Sequence, residues 1–337
     1  MNIKQENKEI KSVLTKKITA VTIAAVLFVS FFGGNLMTLQ AMADNGNSTN
    51  ANSNVITSSD KQAARQTLRQ TLQQDQTTYK QSSQAADLAY SQAVQDANLA
   101  HSQAVQDANN AYNQAVQSAR SAYSTAVSGA HGNTAIIGPA MATRDQAIAT
   151  ALTTKINAIV TLDTTRDKAV NDAWATHQTT VYTALATRDG NDGTAQSTFY
   201  TTIGNATLAT RAQTIGQAHV AEDNSILQAR ETRISAVETA DATKIQAVGT
   251  AETVYVSAES SAHVTLDNAY TTDAKTWNTE LQSYWNSVAP LIQTKDSVSA
   301  TANANQVTAI GNADAARDQA IDQAQATMYG AISAAYQ

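Results

Sequence analysis

Thr143-Arg144-Asp145 returns as Thr165-Arg166-Asp167 and again as Thr187-Arg188-Asp189, twenty-two residues apart each time. Residues 89–132 show the underlying period. They divide without a gap into AYSQAVQDANL, AHSQAVQDANN, AYNQAVQSARS and AYSTAVSGAHG, eleven residues each. A short fixed period is a strong constraint, because the same local structure must recur in every copy. Intermediate units open at Thr154, Thr176 and Thr198. Later ones open at Thr210, Ala221, Thr232, Thr243, Val254, Thr265 and Thr276, and the last four at Thr294, Asn305, Ala316 and Thr327. One twelve-residue unit, 198–209, shifts the frame by one.

Eleven residues fit three helical turns at about 3.67 per turn, which gives a nearly straight or slightly right-handed seam. Each residue advances about 100°. Unit positions 1, 5 and 9 then share a stripe, with positions 6 and 2 along its edge. Ala93, Ala97, Ala100, Ala104, Ala108 and Ala111 make such a stripe beside Val94, Val105 and Val116. Tyr90, Tyr112, Arg144, Arg166 and Lys244 hold position 2, where an apolar stem can cover the stripe while the tip meets water. Period-two alternation is absent over any useful length, so strands are excluded. The expected fold is all-α: elongated helical hairpins or a coiled-coil-like bundle of 11-residue repeats, behind a flexible N-terminal region.

The spacing predicts a long helix over 59–129, with Ser59 and Gln62 as a capping box. A Gly/Pro break follows at 130–140 and a helix at 141–188. Asp189-Gly190-Asn191-Asp192-Gly193 reads as a turn. Helical hendecads fill 194–288, with a fold-back near Gly204. Residues 289–293, around Pro290, read as a break before a C-terminal helix at 294–337.

Composition fits this reading. Alanine supplies 64 of the 337 residues and threonine 45, while charged residues are 15% and aromatic residues 5%. An Ala-based seam buries little area, so each unit gains less than a leucine heptad would at ~25 cal/mol per Å². Marginal stability as a monomer and self-association are expected. The absence of Cys excludes a disulfide framework, a thiolate metal site and a cysteine nucleophile.

Residues 1–43 have the layout of a signal peptide: Lys4, Lys8, Lys11, Lys16 and Lys17, an apolar run over 18–32, and Ala41-Met42-Ala43 as a cleavage pattern. The apolar run is shorter than the ~20 residues that span a bilayer. Residues 44–58 read as a disordered linker. Removing 1–43 takes away five Lys and two Glu, so the chain's net charge of −6 becomes −9. An acidic exported chain suits neither nucleic acid nor anionic lipid. No stable membrane insertion is expected after cleavage. The chain shows no sorting motif near its last residues, so non-covalent wall association or release is expected.

Chemistry-bearing residues are scattered. His101, His131, His177, His219 and His263 include no pair at i, i+4 and no HExxH, and they read as surface or stripe-edge residues without metal spacing. Asp96, Asp107, Asp145 and Asp167 recur with the period. No catalytic, cofactor-binding or metal site is predicted, and the chain reads as non-enzymatic. Threonines along 143–210 read as helix-surface residues bonding back to their own backbone, or as sites for O-linked sugars. Trp277, Leu281, Tyr284 and Trp285 fall on one helical face. Two readings stand: a hydrophobic anchor where two helices meet, or an interaction patch for a partner, glycan or wall polymer.

The AYSQAVQDAN and TRDKAV units, behind the export layout, resemble the secreted Ala/Gln/Thr-rich extracellular proteins of lactic acid bacteria. The resemblance implies a role in adhesion, cell-surface structure or contact with host mucosal immune cells, with a host cell surface or a cell-wall polymer as partner. The alternatives are a self-assembling cell-envelope spacer and a cell-wall hydrolase with an unrecognised site.

Overall fold

A computed structural model of the chain describes residues 56–270 and 274–337. The leader and most of the linker lie outside the described residues. Among those described, four α-helices and no strands are present: α1 (Ser58–Ser128), α2 (Thr134–Thr202), α3 (Ala206–Asn268) and α4 (Ala274–Ala335). They hold 71, 69, 63 and 62 residues, so each runs about 95–105 Å at 1.5 Å per residue. The helices pack in chain order: α1 on α2, α2 on α3, and α3 on α4, with no other pair in contact. The all-α, hairpin-built fold read from the period is therefore present.

Local chemistry sets the ends. The N-cap of α1 is Thr57, not Ser59. Its hydroxyl accepts from the Asp60 N–H at 3.2 Å, and Asp60 Oδ2 accepts from the Thr57 N–H at 2.9 Å. That reciprocal pair satisfies two orphan donors at once. Between α1 and α2 the chain reverses through His131 and Gly132, with φ of 46° and 84°, and Asn133 Oδ1 caps α2 by accepting from the Ala135 N–H at 3.0 Å. The break expected over 130–140 is thus shorter, and helix resumes before Pro139. Pro139 stands five residues past Thr134, inside α2, and forgoes one backbone bond there. The reversal expected near Gly204 is present, with Asn205 capping α3 through Leu208.

Three expected boundaries are wrong. Residues 189–193 lie within α2 and make no turn. Gly193 lies against Gly216 of α3, and a Cβ on Gly193 would stand 2.8 Å from the Gly216 Cα. These glycines serve close approach of two helices, a role that a turn composition imitates. Residues 289–293 form no break either. Pro290 lies inside α4 with its ring exposed. Finally, the helix expected over 194–288 is interrupted once more, because α3 ends at Asn268 and α4 begins at Ala274.

The seam also sits slightly differently on the helix. Along α1, Ala93, Val94, Ala97 and His101 are half-buried, as are Ala104, Val105 and Ala108, while Ala100 and Ala111 are exposed. Positions 2, 5, 6 and 9 thus face the neighbour and position 1 faces out. Thr fits this outward place by bonding back one turn, as Thr154 Oγ1 to the Thr150 carbonyl (2.9 Å), Thr165 to Thr161 (2.7 Å) and Thr187 to Thr183 (2.7 Å).

Candidate functional site

Position 2 of the repeat meets position 2 across the hairpin interfaces. Between antiparallel α1 and α2, Arg188 lies over the Tyr79 ring at 5.1 Å, Lys155 over Tyr112 at 5.1 Å and Arg144 over Tyr123 at 4.6 Å. Tyr90 meets Trp174 edge-on at 5.2 Å, and Trp174 stacks on His177 at 5.0 Å. His101, in the tyrosine slot, pairs with Asp163 at 2.7 Å, and His177 with Asp87 at 2.7 Å. Between α3 and α4 the same slots bring Lys295 over Tyr255 at 4.9 Å and Lys244 to Gln306 at 2.7 Å. Each cation–ring contact adds about 0.5–1 kcal/mol, and each fixes the two helices against each other.

The central α2–α3 interface uses the next unit position, and here it buries carboxylates. In every Thr-Arg-Asp unit the Arg turns onto the Asp beside it. Arg144 donates from Nε to Asp145 Oδ1 at 2.5 Å and from Nη2 to Oδ2 at 2.7 Å. Arg166 pairs with Asp167, and Arg188 with Asp189 at 2.5 Å. Opposite them on α3 stand Asp267, Asp241 and Asp223, each near the Asp of one unit. A lateral chain thus crosses three helices at each end: Tyr123, Arg144, Asp145, Asp267; and Tyr79, Arg188, Asp189, Asp223.

These carboxylates titrate unevenly. Burial lifts Asp223 to about 7, aided by the charges of Asp189 and Glu222. Burial lifts Asp192 to about 6 against the pull of Arg188, with Asp75 and Asp189 adding to the rise. Asp241 is raised by burial and by Asp167, although Gln306 donates to it. In the Asp145–Asp267 pair burial opposes both charges. The hydrogen bonds and charge of Arg144 keep Asp145 ionised, below the ordinary carboxylate range, while burial and Asp145 itself push Asp267 up. Asp267 is only 2% exposed, and its Oδ2 has no donor. His263, one helical turn before it, turns Nδ1 toward Asp145 Oδ2 at 3.8 Å. Asp145, His263 and Asp267 therefore bring one ligand-type atom each within 4.8 Å of one another.

The residues Trp277, Leu281, Tyr284 and Trp285 divide. Tyr284 is buried with Leu266 and Val288 at the α3–α4 end, and Trp277 and Leu281 pack against that cluster. Trp285 is 46% exposed, touching Tyr284 edge-on at 5.1 Å. Three of the four serve as the helix–helix anchor, and only Trp285 faces outward as a patch would need. A groove of about 710 Å³ runs between α3 and α4, lined by small side chains such as Ala221, Ala236 and Ala313 with Arg233 and Gln323.

Sequence reasoning passed over His263. Its signal is His-Val-x-x-Asp, present as 219–223 and as 263–267, forty-four residues apart. An i, i+4 His/Asp pair puts both side chains on one face. It lacks the His–His spacing of a helical zinc motif. No protein-family model, no curated protein sequence and no solved structure matches this chain.

Proposed function

We propose that the chain is exported and serves, without catalysis of its own, as an extracellular bacterial scaffold at the cell surface or in contact with host mucosa and its immune cells. One observation carries the reading. Four helices of 62–71 residues each touch only their chain neighbours, so the broad sides of the array are left to solvent. Such an architecture spends its length on presenting surface. Residues at outward positions are mainly Thr, Gln, Ser, Ala, Asn and Asp, with single large exposed apolar side chains such as Leu88, Leu99 and Val307. Among the described residues, no helix is long and apolar enough to cross a membrane.

The experiment is localisation followed by binding. The full chain is expressed in a Gram-positive host, and medium, wall and cytoplasmic fractions are probed. Purified material is then offered to mucosal epithelial cells, immune cells and isolated cell walls. Cleavage near Ala43 with recovery outside the cell is expected, together with saturable binding to host cells. Binding to walls alone would favour the envelope spacer. Retention of the uncleaved chain in the cytoplasm would overturn the proposal.

A further inference from the structure

We propose that Asp145, His263 and Asp267 form a binding site for a zinc-class divalent cation that ties α2 to α3. The donor set is one imidazole nitrogen and two carboxylate oxygens, which suits zinc; calcium would require six or more oxygens. The three atoms already lie within 4.8 Å of one another, and the His263 Nδ1 to Asp145 Oδ2 distance is 3.8 Å. Tetrahedral zinc with bonds of about 2.0–2.2 Å holds its ligands about 3.3–3.6 Å apart. Small side-chain rotations close that gap.

Two further observations separate this cluster from a chance gathering of acids. Asp267 is 98% shielded from solvent, and its Oδ2 meets no donor. The Nδ1 of His263 is shielded as well and makes no hydrogen bond, only the 3.8 Å approach to Asp145 Oδ2. Both atoms are cluster members, and a cation between them satisfies the two together, in place of the side-chain hydrogen bond that links Asp145 and Asp267. Leaving such groups buried and unmatched is costly.

The surroundings are those of ligand support. Arg144 grips both oxygens of Asp145 and fixes its orientation, and each oxygen keeps a second lone pair for the ion. The Tyr284 ring meets the His263 ring edge-on at 4.6 Å. Gly138 lets the start of α2 approach the Asp267 backbone, where a Cβ would stand 2.6 Å from its carbonyl oxygen. The other His-Val-x-x-Asp copy, 219–223, also lies opposite a Thr-Arg-Asp unit, but there His219 Nδ1 faces Glu222 of its own helix at 3.6 Å. The repeat alone does not produce the convergence.

The test uses the full chain, stripped with chelator and titrated with Zn²⁺ alone by calorimetry, then with Co²⁺ alone as a coloured stand-in. One ion per chain is expected, with a rise in melting temperature, as for any ligand of the folded state. His263→Ala and the isosteric Asp267→Asn should each weaken binding by on the order of 100-fold, at least what loss of an outer-shell partner does. They should also abolish the low-symmetry Co²⁺ visible band, while far-UV circular dichroism shows the helices retained. His219→Ala should leave both readouts unchanged. Absence of saturable binding, undiminished binding in Asp267→Asn, or an equal loss in His219→Ala would overturn the site.

Discussion

Alanine in place of Gly193 should destabilise the α2–α3 interface, although alanine is the better helix former. A methyl on Gly193 would stand 2.8 Å from the Gly216 Cα and 3.3 Å from the Ala212 carbonyl oxygen. Carbon–carbon contacts become comfortable near ~3.5 Å, so two helix backbones must part by roughly 0.7 Å. Overpacking of this kind costs about 1–3 kcal/mol. Against it stands a propensity gain of about 1 kcal/mol. Gly311 supplies the matched control: it lies within α4 and a Cβ there meets nothing within 4 Å, so Gly311→Ala keeps the gain alone. The two variants should differ by about 1–3 kcal/mol, a gap of roughly 2–12 °C in melting temperature. Gly190→Ala completes the set. Its Cβ would make only an ordinary 3.4 Å contact with Val220, so it too should stabilise. Thermal unfolding followed by circular dichroism reads all three. If Gly193→Ala gains as much as Gly311→Ala, the backbones are not close. If Gly190→Ala loses stability, the segment is a turn.

Three other outcomes are expected. Asp223 and Asp192, at about 7 and about 6, sit above the ~3.9 of an unfolded aspartate. Arg188 and Asp189 of α2 face both, with Asp75 of α1 near Asp192 and Glu222 and Tyr182 near Asp223. The folded chain therefore holds more protons in that window. Stability should fall as pH rises from about 5 to about 8, and Asp223→Asn should flatten the slope; a melting temperature that climbs over this range refutes the assignment. Pro290→Ala restores a missing backbone donor inside α4 and should stabilise by up to ~3 kcal/mol in denaturant titration, whereas at a true break it would gain nothing. Trp277→Ala should cost about 2 kcal/mol, roughly half the figure for a fully buried aromatic, while Trp285→Ala should leave the melting temperature within about 1 °C, as an exposed site does.

The repeat made the helices legible, because a period of eleven admits no strand and sets one face inward. Their ends were less legible. Glycine and proline carry two meanings each, and a single sequence does not separate them. Gly190 and Gly193 look like a turn until a second helix is placed against them, and Pro290 looks like a break although α4 continues through it on the exposed side. Conversely, the reversal after Asn268 carries neither residue and sits inside an uninterrupted run of units. The carboxylate pairs were invisible for a different reason. Asp145 and Asp267 are 122 positions apart in the chain, and only the antiparallel pairing of α2 with α3 makes them neighbours. The Trp277 cluster was legible as an apolar face, and its burial depended on Leu266 and Tyr255 from α3.

Antiparallel helices that match slot for slot every eleven residues can match nearly as well after sliding by one unit, about 16.5 Å. Equivalent rungs therefore give cohesion without choosing a register. The choice falls to the places where units differ. Gly193 fits only against Gly216, Gly249 only where Val160 fills the space above it, and Gly138 only beside the Asp267 backbone. A chain shifted by one unit would press a Cβ into each of these contacts. Its irregular units, which blur the repeat on the page, are what allow a repetitive chain to settle in one alignment.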